Sequence, residues 1–87
     1  MTRPRLVTGA RLRFDDVREE HQLLVPEGVV RLNPTAAEVL GLCDGERSLQ
    51  DIVDALAARY DGADLGDDVR GLVDAMAEKG LVVDAAA

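Results

Sequence analysis

An 87-residue chain with 47% apolar residues is sized for one domain, whose core buries roughly 60% of the surface the unfolded chain would expose. Its formal net charge of −7 excludes the phosphate-neutralising attraction that drives non-specific nucleic-acid binding, and no apolar run reaches the roughly 18 residues of a membrane span. A single cysteine excludes an intrachain disulfide, and the opening MTRPRLVTGA lacks the apolar run of a secretion signal, so a cytoplasmic location is the expectation.

Charge is unevenly placed. Residues 1 to 31 carry six arginines against five acids, whereas residues 32 to 87 carry four basic residues against twelve acids. With aromatics at only 2%, the core has to be built from Leu, Val and Ala, with Phe14 and Tyr60 as its large rings.

Residues 1–10 offer only Leu6 and Val7 for burial among Arg, Pro, Gly and Thr, and read as a loosely ordered arm. Arg11-Leu12-Arg13-Phe14 alternates polar and apolar with the period of a strand, Leu12 and Phe14 pointing inward. The charged DDVREEH that follows reads as a connection, which puts His21 in a solvated loop.

Leu23-Leu24-Val25 and Val29-Val30-Arg31-Leu32 flank Pro26-Glu27-Gly28, where proline presets the turn and glycine tolerates a left-handed backbone. A three-residue hairpin turn is expected. With Val25 facing Val29, Leu23, Val25, Val29 and Arg31 would share one face of the sheet and Leu24, Val30 and Leu32 the other, leaving both largely apolar.

The first helix opens at Asn33-Pro34 or at the Thr35-x-x-Glu38 box, with Ala36, Val39, Leu40 and Cys43 along its inner stripe and Asp44-Gly45 as its stop. On that stripe Cys43 is a small buried hydrophobe, neither nucleophile nor ligand. The second helix opens with Ser48-x-x-Asp51, buries Leu49, Ile52, Val53, Leu56 and Tyr60, and stops at Gly62. The third runs over 65–79, capped by Asp64 and stopped by Gly80, with Leu65, Val69, Leu72, Val73 and Met76 inward. Leu81-Val82-Val83 is read as a short added strand, and residues 84–87 as a frayed tail.

Gly71 lies inside the third helix, where glycine costs about 1 kcal/mol relative to alanine. Asp68, Gly71, Ala75 and Lys79 form a strip beside the core stripe, adjoining Leu72. Either a second backbone approaches this strip closely, or it is a solvated flank.

The element order predicts an α+β, winged-helix-like fold, a three-stranded antiparallel sheet followed by three helices, over 11–83. That fold serves both DNA and peptide binding. A recognition helix for DNA should carry Arg, Lys, Asn or Gln toward base edges, whereas the third helix carries Asp67, Asp68, Asp74 and Glu78. Catalysis needs a nucleophile with a base, paired carboxylates or a metal cluster, and the chain shows none of these.

The words RLRFDDVR, LLVPEGVVRLNPTAAEVLGLCDGERSLQDIVDALAARYDG and a DV-x-x-LV-x-x-M helix ending in GLV resemble the PqqD family across residues 11 to 83. LL-x-PEG, LN-x-TA and CDG are specific in combination. The charged Glu19-Glu20-His21-Gln22 departs from that pattern and bears on the length of the first hairpin. The resemblance implies a non-catalytic peptide chaperone without a cofactor. It would bind the ribosomal precursor peptide of pyrroloquinoline quinone and present it to a radical S-adenosylmethionine enzyme that joins a glutamate to a tyrosine. Similar recognition elements serve leader peptides of other modification pathways. It further implies that the peptide adds as a strand against Val29, Val30, Arg31 and Leu32, beside Asp68, Gly71, Leu72 and Ala75 of the third helix. Strand addition takes its affinity from main-chain hydrogen bonds at an open sheet edge, with no metal, nucleic acid or membrane required.

Overall fold

A computed structural model describes residues 1–86. Strands β2 (Arg11–Asp15), β3 (Glu20–Val25) and β4 (Gly28–Leu32) form an antiparallel sheet in the order β2-β3-β4. Val25 pairs with Gly28, Leu24 with Val29 and Leu23 with Val30, so the turn consists of Pro26 and Glu27 alone. The expected three-residue turn is therefore corrected by one residue, with Gly28 starting β4 at a φ of +150° that L side chains rarely adopt.

That single step re-sorts the sheet, because residues directly opposite each other share a face. Leu12, Phe14, His21, Leu23, Val25, Val30 and Leu32 now lie together, and Arg11, Arg13, Asp15, Glu20, Gln22, Leu24, Val29 and Arg31 lie on the reverse. One face is apolar and the other mostly charged, in place of the two apolar faces expected.

The charged stretch expected as a connection shrinks to residues 16–19. Asp15 accepts hydrogen bonds from the backbone N–H of Val17 and Arg18 at 3.0 and 3.3 Å, and Glu19 closes the turn at a φ of +53°. Glu20, His21 and Gln22 consequently belong to β3. Gln22 is buried on the charged face, and its amide donates to Glu20 at 3.0 Å.

The three helices start where local chemistry satisfies their first N–H groups. In α1 (Pro34–Gly41), Asn33 accepts from Ala36 N–H at 2.7 Å. In α2 (Leu49–Arg59), Ser48 and Asp51 exchange side-chain and backbone hydrogen bonds, each at 3.0 Å. The third, α3 (Gly66–Glu78), has Leu65 at its cap position with no side-chain cap, correcting the expectation of Asp64, which reaches only Gly66 N–H at 3.4 Å. Asp67 and Asp68 in its first turn oppose the positive end of the helix dipole instead. Gly80, at a φ of +76°, ends it as expected.

Leu23, Leu40, Ile52, Leu56 and Val73 are fully buried in one cluster that joins β3 to all three helices. Burying a side chain of this size contributes about 1.5–3 kcal/mol. Neither large ring takes part: Phe14 is 49% and Tyr60 42% exposed. Both were expected inside, as was Leu12, which is 36% exposed. The first lies on the apolar face near the sheet border, and the second caps the C-terminal end of α2.

Residues 1–10 contribute β1 (Pro4–Leu6), which pairs antiparallel with β5 (Val82–Asp84). Pro4 is fully buried, Leu49 N–H donates to Thr2 O at 3.1 Å, and Gly45 N–H donates to Pro4 O at 3.0 Å. The arm expected to be loose is a tie across the molecule. Asp84, expected in the frayed tail, accepts from the N–H groups of Thr2 and Arg3 at 2.8 and 3.0 Å. Ala87 of that tail lies outside the described residues. Among the described residues, no helix is long and apolar enough to cross a membrane.

Candidate functional site

β4 ends the strand order, so among the described residues its outer backbone groups have no partner strand. Along it Val29 is 55% exposed, Arg31 is exposed, Val30 is half-buried and Leu32 is buried. Leu32 can offer an incoming chain its backbone only. Val30 and Leu32 pack into the cluster that also holds Val69, Val73 and Met76 of α3, which puts that helix on the apolar side of the sheet. Val29 and Arg31 project from the reverse side. A strand added to β4 would thus turn alternate side chains toward the helices and toward Arg31.

On α3, Asp68, Gly71 and Ala75 are exposed and Leu72 is half-buried. A Cβ placed on Gly71 would meet nothing within 4 Å. Of the two readings of this strip, the solvated flank describes the free protein, and among the described residues nothing occupies the space above the glycine.

The charges around these residues are mixed. Arg31 lies 3.6 Å from Glu20, while Arg70 of α3 donates to Gln50 of α2 at 3.3 Å and so leans along the helix pair. Asp67, Asp68, Asp74 and Glu78 are all exposed on α3, a surface that repels nucleic-acid phosphate.

The single cysteine and the single histidine are occupied structurally. Cys43 is buried and donates to Val39 O at 3.3 Å; burial, with Asp44 beside it, pushes the thiol up to about 11. His21 is half-buried in β3, edge-on to Phe14 at 4.9 Å between ring centroids, rather than in a solvated loop. Among the described residues, no three His, Cys, Asp or Glu side chains are grouped to hold a metal ion.

A second open surface was not foreseen. Leu12, Arg13, Phe14, His21 and Gln22 of the sheet and Ala37 and Glu38 of α1 line an open, mostly apolar depression of about 280 Å³ where β2 and β3 meet α1. Its rim is fixed by Glu38, which accepts from the Tyr60 hydroxyl at 2.7 Å and from Arg59 at 3.3 Å. The alternation of residues 11–14 assigned Leu12 and Phe14 their face correctly, but alternation does not reveal how far a helix reaches across it.

Residues 20–82 match the family model described as Coenzyme PQQ synthesis protein D (PqqD). The chain is 43% identical over 86 residues to a PqqA binding protein of Rhodopseudomonas palustris (strain TIE-1), covering 97% of this chain and 84% of that one. It is 36% identical over 72 residues to a PqqA binding protein of Methylococcus capsulatus, covering 83% and 77%. Among solved structures it resembles the PqqD truncation of Methylobacterium extorquens PqqCD, described as a functional, stand-alone recognition element for ribosomally synthesized and post-translationally modified peptides. The TM-score is 0.75 at 37% identity, over 92% of this chain and 87% of the other.

Proposed function

The chain belongs to the PqqD family, and from that premise we propose that it is a non-catalytic chaperone that binds the ribosomal precursor peptide of pyrroloquinoline quinone and delivers it to a radical S-adenosylmethionine enzyme. That enzyme would carry out the glutamate-to-tyrosine coupling; this chain would supply binding and positioning, without a cofactor and in the cytoplasm. The relatives named for PqqA binding and the recognition-element structure support the peptide as partner.

What supports the placement is the free border of β4 together with an unoccupied flank at Gly71 of α3. In this reading the peptide extends the sheet along Val29, Val30, Arg31 and Leu32. Asp68, Gly71, Leu72 and Ala75 bound it on the helix side, the small residues leaving room for its backbone. Main-chain pairing gives affinity, and the helix flank and Arg31 select among side chains on opposite faces.

Titrating isotope-labelled protein with the precursor peptide tests both parts. Amide shifts should concentrate in Gly28–Leu32 and Asp68–Ala75, and an unrelated leader peptide should leave them unmoved. Shifts confined to β2 and α1 would refute the placement while keeping the function; equal binding of the unrelated leader would refute the pathway.

A further inference from the structure

Val29 and Arg31 are the residues through which β4 meets whatever pairs with it. Hydrogen-bonded pairs alternate along an antiparallel ladder. Counted from the turn that Val25 and Gly28 close, Val29 and Arg31 turn their N–H and C=O groups away from β3, toward the open border. A guest residue directly opposite Arg31 shares its face, the charged reverse of the sheet.

That face carries Arg11, Arg13 and Arg31 against Asp15 and Glu20, one negative charge short of balance. Both acids are already engaged. Gln22, itself buried, donates its amide to Asp15 at 3.4 Å and to Glu20 at 3.0 Å, and Asp15 also accepts from the N–H groups of Val17 and Arg18. Arg31 approaches Glu20 through Nε at 3.6 Å, beyond hydrogen-bond length, and its side chain is 78% exposed. Its planar fork of N–H donors thus stands at the border of β4, in the form that matches a carboxylate.

We propose that Arg31 selects an acidic side chain of the guest peptide at the position directly opposite it, an assignment that rests on the placement along β4. The alternatives serve a carboxylate worse. Two residues along, the guest faces Val29, which lies beside Leu24. On the helix side it meets α3, which exposes Asp67, Asp68, Asp74 and Glu78 against Arg70 and Lys79. A slip of one residue moves the guest acid from an arginine to an acidic flank, so a single charge fixes the phase of the peptide by attraction on one side and repulsion on the other. The pair stays partly solvated, which keeps its contribution moderate and sensitive to salt.

Fluorescence anisotropy of end-labelled precursor peptide on the full chain is the test, with circular dichroism confirming that each variant folds. Arg31→Gln should weaken binding about fivefold, the scale of a partly exposed ion pair. Replacing the acidic residues of the peptide one at a time by their amides should single out one whose loss weakens wild type equally and Arg31→Gln no further. Arg31→Glu should recover affinity when that residue is changed to lysine. Arg13→Gln, two strands away on the same face, should bind as wild type does. Amide shifts of the isotope-labelled chain separate the two levels of the reading. Where the peptide shifts Gly28–Leu32, three results overturn the role of Arg31 and leave the placement standing: unchanged affinity in Arg31→Gln, no peptide carboxylate coupled to it, or an equal loss in Arg13→Gln. Shifts confined to β2 and α1 overturn the placement, and the role of Arg31 with it.

Discussion

The hydroxyl of Tyr60 donates a 2.7 Å hydrogen bond to Glu38, joining the end of α2 to the middle of α1. The bond, helped by Arg59, holds the Glu38 carboxyl below the ordinary carboxylate range, and it raises the Tyr60 hydroxyl. A depressed carboxyl stabilises the fold above its ordinary pKa of 4.5 and loses that contribution as pH falls through its lower folded value. Tyr60→Phe should therefore melt slightly lower than wild type at neutral pH and equally in strong acid. Carboxyl-carbon NMR should show Glu38 titrating at a higher pH in the variant; an unchanged titration would mean the hydroxyl bond is not what holds it.

Gly71→Leu separates stability from binding. With open space around the position, leucine recovers helix propensity worth up to about 1 kcal/mol, so denaturant unfolding should show unchanged or slightly greater stability. Under the proposed placement the same side chain fills the room left for the guest backbone. Calorimetry should register a loss of affinity on the order of tenfold, about 1.4 kcal/mol; unchanged affinity would sink the placement.

Asp84 ties both ends of the chain together, and its acid response should be local. Hydrogen bonds from Arg3, Thr2 and Ala86 N–H groups lower its carboxyl from 3.8 to about 2. Its contribution is complete above the ordinary value and disappears as pH drops from 3.8 toward 2. Hydrogen exchange should show the Thr2 and Arg3 amides losing protection in that window before the core amides do. In Asp84→Ala they should be unprotected at neutral pH as well.

Cys43 reports on unfolding. With its thiol at about 11, roughly one molecule in a thousand carries the thiolate at pH 8, and burial blocks reagents further. Alkylation of the folded protein should be slower than that of a free thiol by orders of magnitude and should rise with urea along the unfolding curve. Prompt alkylation in native buffer would contradict the packing against Val39.

The helices were readable because what starts and stops them is local. Asn33, Ser48 with Asp51, and Gly80 each act within a few residues, so their spacing in the chain is their spacing in space. The sheet faces were misread by one residue because Pro26-Glu27-Gly28 is compatible with a turn of two residues or three, and everything beyond the turn inherits that choice. β1 was missed for a different reason. Its partner β5 lies at the far end of the chain, and Pro4-Arg5-Leu6 is too short to show a period. Phe14 and Tyr60 were assigned inside by the periods of their strand and helix, yet burial depends on what lies above a ring, which no neighbour in the sequence encodes. At the candidate site, the outer position of β4 was foreseen, and the open flank at Gly71 was one of the two readings its strip allowed. That Val29 and Arg31 face away from the helices was not.

The segregation of the sheet into an apolar and a charged side has a consequence for any strand seated on β4. Such a guest shows its odd positions to one environment and its even positions to the other, and a slip of a single residue exchanges them all. Under the proposed placement the scaffold would thereby act as a parity filter, rejecting every neighbouring phase of the same peptide without having to recognise any one of its letters.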